Sequence, residues 1–392
     1  MDFRFNYDYS KTLWMKMFLA TPDFDNNRST VYITFQQALE IVKAVDNITQ
    51  GIQKIIYLVG WQGLGHDDCW PEMDTVNEYL KRDCDATARD SFMWLYEEAK
   101  KYNTQASYET YSCTIDGIER TYKLYLPANI KPNAPLIFVL HGYGGSNNLD
   151  FLGLNELAEE YGFVVCYPRG SKDGRGKHCW NVGYPFQKDM KADDISFMCQ
   201  LARKLQKEHK LSRKNTFCTG MSNGGEMCYL LAYAEQKTFA AVAPIAGLTM
   251  EWFTKAYSPT RPMPIMEVHG TEDRTSEWTG DLKNKGGWGA YIAVPDAIDY
   301  WVKVNGCKES TSEVLPLKNT DSHKVTLHKH FGGKKNSQVW LYEIEGGKHT
   351  WANKDIDTAE EIWKFFSLFI LITLSVQRRP QPLNSYPKIM VF

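Results

Sequence analysis

The chain has 392 residues, room for about two domains at ~100–200 residues each. Hydrophobic residues at 43% and charged residues at 23% exclude a disordered chain, a collagen-like chain and a coiled-coil rod. Lys+Arg 45 against Asp+Glu 47 gives −2, so no overall field favours nucleic acid or a membrane surface, and neither is expected as a partner.

Two segments differ in character, with a join near residues 102–113. In the first, Phe35–Val45 has apolar residues at helical spacing, and Lys54–Gln62 is a continuous apolar run of strand length. The loop Gly63–Pro71 follows, then a second helical pattern over Asp90–Tyr102. Together they make one α/β unit over residues 1–105, of the kind that builds parallel barrels; a complete barrel needs roughly 250 residues. The second segment, 111–369, alternates strands and helices. Strands are predicted at Tyr122–Leu126, Leu136–His141, Phe163–Tyr167, Asn215–Thr219, Ala240–Ala246, Met263–His269 and Val339–Ile344. Helices are predicted at Leu149–Tyr161, Asp193–His209, Gly225–Glu235, Val294–Val304 and Thr358–Leu368. The pattern gives an α/β fold: a mostly parallel central sheet covered by helices on both faces, preceded by a small α/β segment. Phe365–Val376 is too short to span a membrane, which needs ~20 apolar residues, and reads as a docked final helix before a tail over 370–392.

Nine scattered cysteines form no CxxC pair and no metal-ligand spacing, so neither a metal nor a cofactor is expected. They read as buried small apolar residues, with one or two surface disulfides open if the protein is exported. Met1 to Asn26 lack a basic stretch followed by an apolar run, and are not read as a signal peptide.

The sharpest chemical signal is Gly220-Met221-Ser222-Asn223-Gly224, directly after a β-rich run and directly before a helical one. Gly-x-Ser-x-Gly in that context is a nucleophile elbow, a tight turn that lifts the serine to the tip of the sheet. A serine hydroxyl needs a base, and the base needs a carboxylate to orient it. Asp273 follows the strand ending at His269, and His349 follows the strand ending at Ile344, in the chain order Ser, acid, His. Glu272 is the nearest rival acid. His323, His328 and His330 lie in a Lys-rich stretch read as a solvated face. The oxyanion donors are expected to be the backbone N–H groups of Asn223 and of Tyr143, the latter in the glycine-rich loop His141–Gly145. Trp180 and Trp351 are candidate walls for an aromatic substrate group, or core packing.

HGYGG at His141–Gly145, Tyr167-Pro168-Arg169-Gly170, Cys179-Trp180-Asn181, GMSNGG at Gly220–Gly225 and HGTED at His269–Asp273 stand in sequence order. Val294-Pro295 with Trp301 and Asn305-Gly306-Cys307 follow, then GGKHTW at Gly346–Trp351. With these motifs the chain resembles α/β-hydrolases of the feruloyl esterase and polyhydroxybutyrate depolymerase type, carbohydrate esterase family 1. The resemblance implies an extracellular or periplasmic serine esterase that removes feruloyl, or less often acetyl, groups from plant polysaccharide. Where family members often carry Val-Pro-Tyr after the acid, this chain has Arg274-Thr275-Ser276-Glu277-Trp278, which leaves the acyl pocket undefined. Other substrates on the same fold are acetylated xylan and polyhydroxyalkanoate, and a carbohydrate-binding protein without catalysis is the alternative of another class. The first segment resembles the start of a (β/α)-barrel glycosidase through Tyr57–Gln62 and Gly65-His66-Asp67-Asp68, with Glu72 and Asp74 nearby. That implies a barrel remnant, or a piece that positions the esterase on carbohydrate.

Overall fold

The computed structural model describes residues 12–65, 75–102, 104–106, 111–127, 130–234 and 237–371. The N-terminal segment runs β1 (Leu13–Phe18), β2 (Ala20–Asp23), β3 (Arg28–Val31), α1 (Phe35–Thr49), β4 (Lys54–Val59), α2 (Ala88–Lys100) and β5 (Thr104–Ala106). β1, β4 and β5 form a parallel sheet with β4 in the middle, and β2 and β3 pair antiparallel. Each helix opens on a capping box, Thr34 with Gln37 and Thr87 with Asp90, which satisfies otherwise orphaned N–H groups. Asp90 is therefore the third residue of α2 rather than its first, and the helix starts two residues earlier than the apolar spacing suggests. Phe35, Leu39 and Val42 of α1 and Phe92 and Leu95 of α2 bury against Ile56 and Leu58 of β4. Asp67, Asp68, Glu72 and Asp74 lie outside the described residues.

The rest of the chain adds β6 (Tyr111–Ile115), β7 (Ile118–Tyr125), β8 (Leu136–Leu140), α3 (Leu154–Tyr161), β9 (Val164–Pro168), β10 (Ser171–Lys172), β11 (His178–Cys179) and α4 (Asp194–Glu208). It continues with β12 (Thr216–Met221), α5 (Asn223–Ala234), β13 (Ala241–Ile245), α6 (Glu251–Ala256), β14 (Ile265–Gly270), α7 (Val294–Asn305), β15 (Glu309–Val314), β16 (Val325–Phe331), β17 (Val339–Ile344) and α8 (Thr358–Ser367). Ten strands form one sheet in the order β15-β16-β17-β14-β13-β12-β8-β9-β7-β6. The middle, from β9 to β17, is parallel, and antiparallel strands extend it at both edges.

Period-two alternation sends β8 to two separate cores. Leu136, Phe138 and Leu140 face Phe197, Leu201 and Leu205 of α4 and the apolar side of α5. Ile137 and Val139 face Leu154 and Leu157 of α3 and Ile362, Phe365 and Phe366 of α8. Buried on both sides, these strands read as unbroken apolar runs, as parallel strands do. Arg120 of β7 and Asp194 of α4 are fully buried and bonded at 2.7 Å, and the other Asp194 oxygen accepts the Asn181 N–H at 2.7 Å. This pair fixes the loop carrying Trp180 against the sheet.

The final helix stops at Ser367, short of the apolar run's end. Asn215 then holds Leu371 by two bonds, accepting its N–H at 2.9 Å and donating to its carbonyl at 3.2 Å. Residues 372–392 lie outside the described ones. No described helix is long and apolar enough to cross a membrane. Among the described residues, Cys166, Cys179, Cys218 and Cys228 are buried and form no disulfide, and Cys199 is buried too.

Candidate active site

Ser222 stands between β12 and α5 with φ 55°, in the left-handed region that side chains with a Cβ rarely adopt. Its N–H donates to Ile245 O and its carbonyl accepts the Glu226 N–H, both at 2.9 Å, so the strain is held from two sides. The turn is possible only because its flanks lack side chains. A Cβ on Gly224 would lie 2.5 Å from the Leu140 carbonyl oxygen, and one on Gly220 would lie 2.7 Å from Leu140 Cβ. A Cβ on Gly142 would stand 3.4 Å from Ser222 Cβ, which places the loop after β8 directly beside the serine.

That loop is braced by His141. Its Nδ1–H donates to Gly142 O at 2.7 Å and its Nε2 accepts the Gly170 N–H at 2.9 Å, which defines a neutral tautomer. Burial pushes its pKa down to about 3, so it stays uncharged at working pH. The backbone N–H groups of Tyr143 and Asn223 have no hydrogen-bond partner among the described residues, which leaves both open to an incoming oxygen.

Trp180 explains why these two donors keep their places, and of its two readings, substrate wall or core packing, its burial fits the second. It is 0% exposed, so no substrate reaches it. Its indole N–H donates to His141 O at 2.9 Å, while its own N–H donates to Asn223 Oδ1 at 2.7 Å and its carbonyl accepts from Asn223 Nδ2 at 3.1 Å. Trp180 is thus a post between the loop after β8 and the first residue of α5. Trp351 is half-buried; its carbonyl accepts the Thr358 hydroxyl, and it lines a surface cavity of about 510 Å³ with His323, Lys348 and Asp355.

Asp273 and His349, 76 residues apart, meet with Nδ1–H donating to Oδ2 at 2.7 Å. The other carboxylate oxygen accepts the N–H groups of Thr275 and Ser276, each at 2.8 Å. Burial alone would raise this carboxyl, but the His349 hydrogen bond and the Ser276 N–H outweigh it and hold Asp273 below the usual range. His349 keeps 21% of its side chain exposed, where Asp273 has none. The Ser222 hydroxyl makes no hydrogen bond among the described residues, to His349 or elsewhere. In substrate-free sites such contacts are often long and tighten on binding. Glu272 is exposed and spends its N–H on Gly347 O. His323 bonds Asp355 at 3.0 Å, and His328 and His330 sit on β16, with His328 on Glu343 at 3.1 Å.

Two features escape the sequence reading. Tyr143 packs its ring edge-on against Phe186 at 5.5 Å and Trp288 at 5.6 Å, beside its open N–H. The second is a buried pair, Glu267 and His269, behind Asp273. The signals were a Trp inside Gly286-Gly287-Trp288-Gly289 and two ionisable residues inside the apolar strand IMEVHG.

A parallel-centred sheet with helices on both faces, and a strained serine, an acid and a histidine each just past a parallel strand, is an α/β-hydrolase. Within that class the chain belongs to the family described as esterase PHB depolymerase, whose pattern matches residues 120–319. It is 27% identical over 253 residues to a bifunctional acetylxylan esterase/xylanase of Neocallimastix patriciarum, covering 64% of this chain and 33% of that protein. It is 29% identical over 241 residues to feruloyl esterase B of Piromyces equi, covering 60% of this chain and 42% of that one. The chain therefore spans less than half the length of either relative. An acetyl xylan esterase structure from Aspergillus awamori aligns at 17% identity with TM-score 0.47, over 66% of this chain and 99% of its own.

Proposed function

We propose that the chain is a serine carboxylic-ester hydrolase whose preferred substrates are hydroxycinnamoyl esters on plant cell-wall polysaccharide. His349 takes the Ser222 proton as the hydroxyl attacks the ester carbonyl, and the N–H groups of Tyr143 and Asn223 hold the oxyanion. Asp273 keeps the His349 proton on Nδ1 and stabilises the imidazolium. The alcohol leaves with the proton from His349; water, activated by the same imidazole, then releases the acid. The observation that carries this reading is the 2.7 Å Asp273–His349 bond, at the same sheet edge as a serine held at φ 55°.

The aromatic acyl group is favoured by the half-buried rings of Tyr143, Phe186 and Trp288, flat apolar surface packed beside one oxyanion donor. An acetyl group has nothing to lay against it. The acetylxylan esterase named among the relatives supplies the second reading, an acetyl substrate on the same machinery.

A fluorophosphonate probe, followed by peptide mapping, is expected to modify Ser222; modification elsewhere, or none, removes the assignment. Trp288→Ala is expected to raise KM for methyl ferulate about tenfold, worth ~1.4 kcal/mol, and to leave p-nitrophenyl acetate kinetics near wild type. Equal losses on both esters would point to the acetyl reading. Initial rates on feruloylated arabinoxylan, acetylated xylan and polyhydroxybutyrate then rank the polymers.

A further inference from the structure

Strand β14 buries two ionisable side chains, Glu267 and His269, each with 0% of its side chain exposed. His269 Nε2 lies 2.8 Å from Ser276 O, a carbonyl that only accepts, so this nitrogen carries a hydrogen. Nδ1 lies 2.8 Å from Glu267 Oε1, which also accepts the Gly247 N–H at 3.2 Å. With Glu267 ionised, Oε1 accepts from Nδ1 and the ring donates from both nitrogens as an imidazolium; its Nε2 edge stands 3.8 Å from Asp273 Oδ2, the oxygen that holds His349.

We infer that His269, protonated and held by Glu267, is a positioning residue for Asp273, setting a positive charge behind the acid and tying down its loop. Two bonds make the tie: Ser276 accepts from His269 through its carbonyl and donates its N–H to Asp273 at 2.8 Å. Glu226, Cys228 and Tyr229 of α5 approach Glu267, and Glu343, in register with His269 on β17, is engaged by His328. Burial opposes a charged His269, but the Glu267 hydrogen bond and carboxylate outweigh it and raise the ring above its ordinary value. Burial pushes Glu267 up too, against the pull of His269.

The kinetic consequence rests on the esterase reading; the charge state does not. A positive charge behind Asp273 lowers the proton affinity of the acid and, through it, of His349. Removing that charge raises both, so the acid limb of kcat/KM moves to higher pH. His269→Gln, which keeps a donor for Ser276, and Glu267→Gln, which removes the anion holding the proton, are each expected to shift that limb up by about one pH unit. Both are expected to lower kcat about tenfold with KM unchanged. Activity that falls with the limb unmoved, or a limb moving down, would leave only a packing role and overturn the inference. In ¹⁵N-histidine-labelled wild-type protein, both His269 ring nitrogens are expected to be protonated at neutral pH. A neutral ring overturns the inference without any assay. An unmodified chain that hydrolyses no ester overturns the esterase reading instead, and the ring nitrogens still decide the charge.

Discussion

Ser222→Ala is expected to lower kcat on methyl ferulate about 10⁵-fold or more and to abolish fluorophosphonate labelling, with the melting temperature close to wild type. The two halves of this result have separate causes. Without Oγ there is no covalent intermediate, whatever the other groups do. The fold barely notices, because alanine carries the same Cβ and meets the same strain at φ 55°. Ser222→Gly should then be equally inactive but more stable, by about 1 kcal/mol, since glycine adopts that conformation without penalty. Urea unfolding of the three proteins measures the difference. A glycine variant no more stable than alanine would mean that the elbow stores no strain, and an alanine variant with wild-type turnover would move the nucleophile elsewhere.

The elements nearest this chemistry were the ones most legible in the amino-acid order. Val339–Ile344 appears in the structure with the limits read from its apolar run, and the neighbouring strands Ala241–Ile245 and Thr216–Met221 lie within two residues of theirs. All are buried on both faces, so composition alone marks them. Glu309–Val314 (ESTSEV) was invisible for the opposite reason: every residue of this edge strand is exposed, and its pairing with β16 comes from the backbone. The helix expected from Leu149 begins at Leu154, because Gly153 at φ 83° breaks the pattern and residues 150–152 form a 3₁₀ turn. Ser222, Asp273 and His349 were readable because each follows a strand whose end could be located. What sequence spacing could not give was depth. It left Trp180 open between a substrate wall and core packing, and only the structure shows it buried, with three hydrogen bonds bracing the loop after β8 against the first residue of α5. It likewise passed over Glu267 and His269, since nothing in their spacing reveals that Asp273 stands behind them.

Asp273→Asn is expected to lower kcat about 10⁴-fold while the protein stays folded, and the geometry dictates the sign. An amide has one accepting oxygen where the carboxylate has two. The N–H groups of Thr275 and Ser276 both aim at Oδ1, at 2.8 Å, so the amide oxygen is drawn to that side. The NH₂ group then faces His349 Nδ1 and donates to it. That nitrogen can no longer carry the hydrogen, which moves to Nε2, and a protonated Nε2 cannot accept the Ser222 proton. The base is present but in the wrong tautomer. Asp273→Ala instead leaves the Thr275 and Ser276 N–H groups without their acceptor and is expected to cost about 1–3 kcal/mol of stability as well as the activity. Comparing the two variants by urea unfolding and by burst kinetics on p-nitrophenyl acetate separates orientation from folding. An asparagine variant retaining more than about a tenth of wild-type turnover would mean that His349 is oriented by another group, and would reopen the case for exposed Glu272 next door.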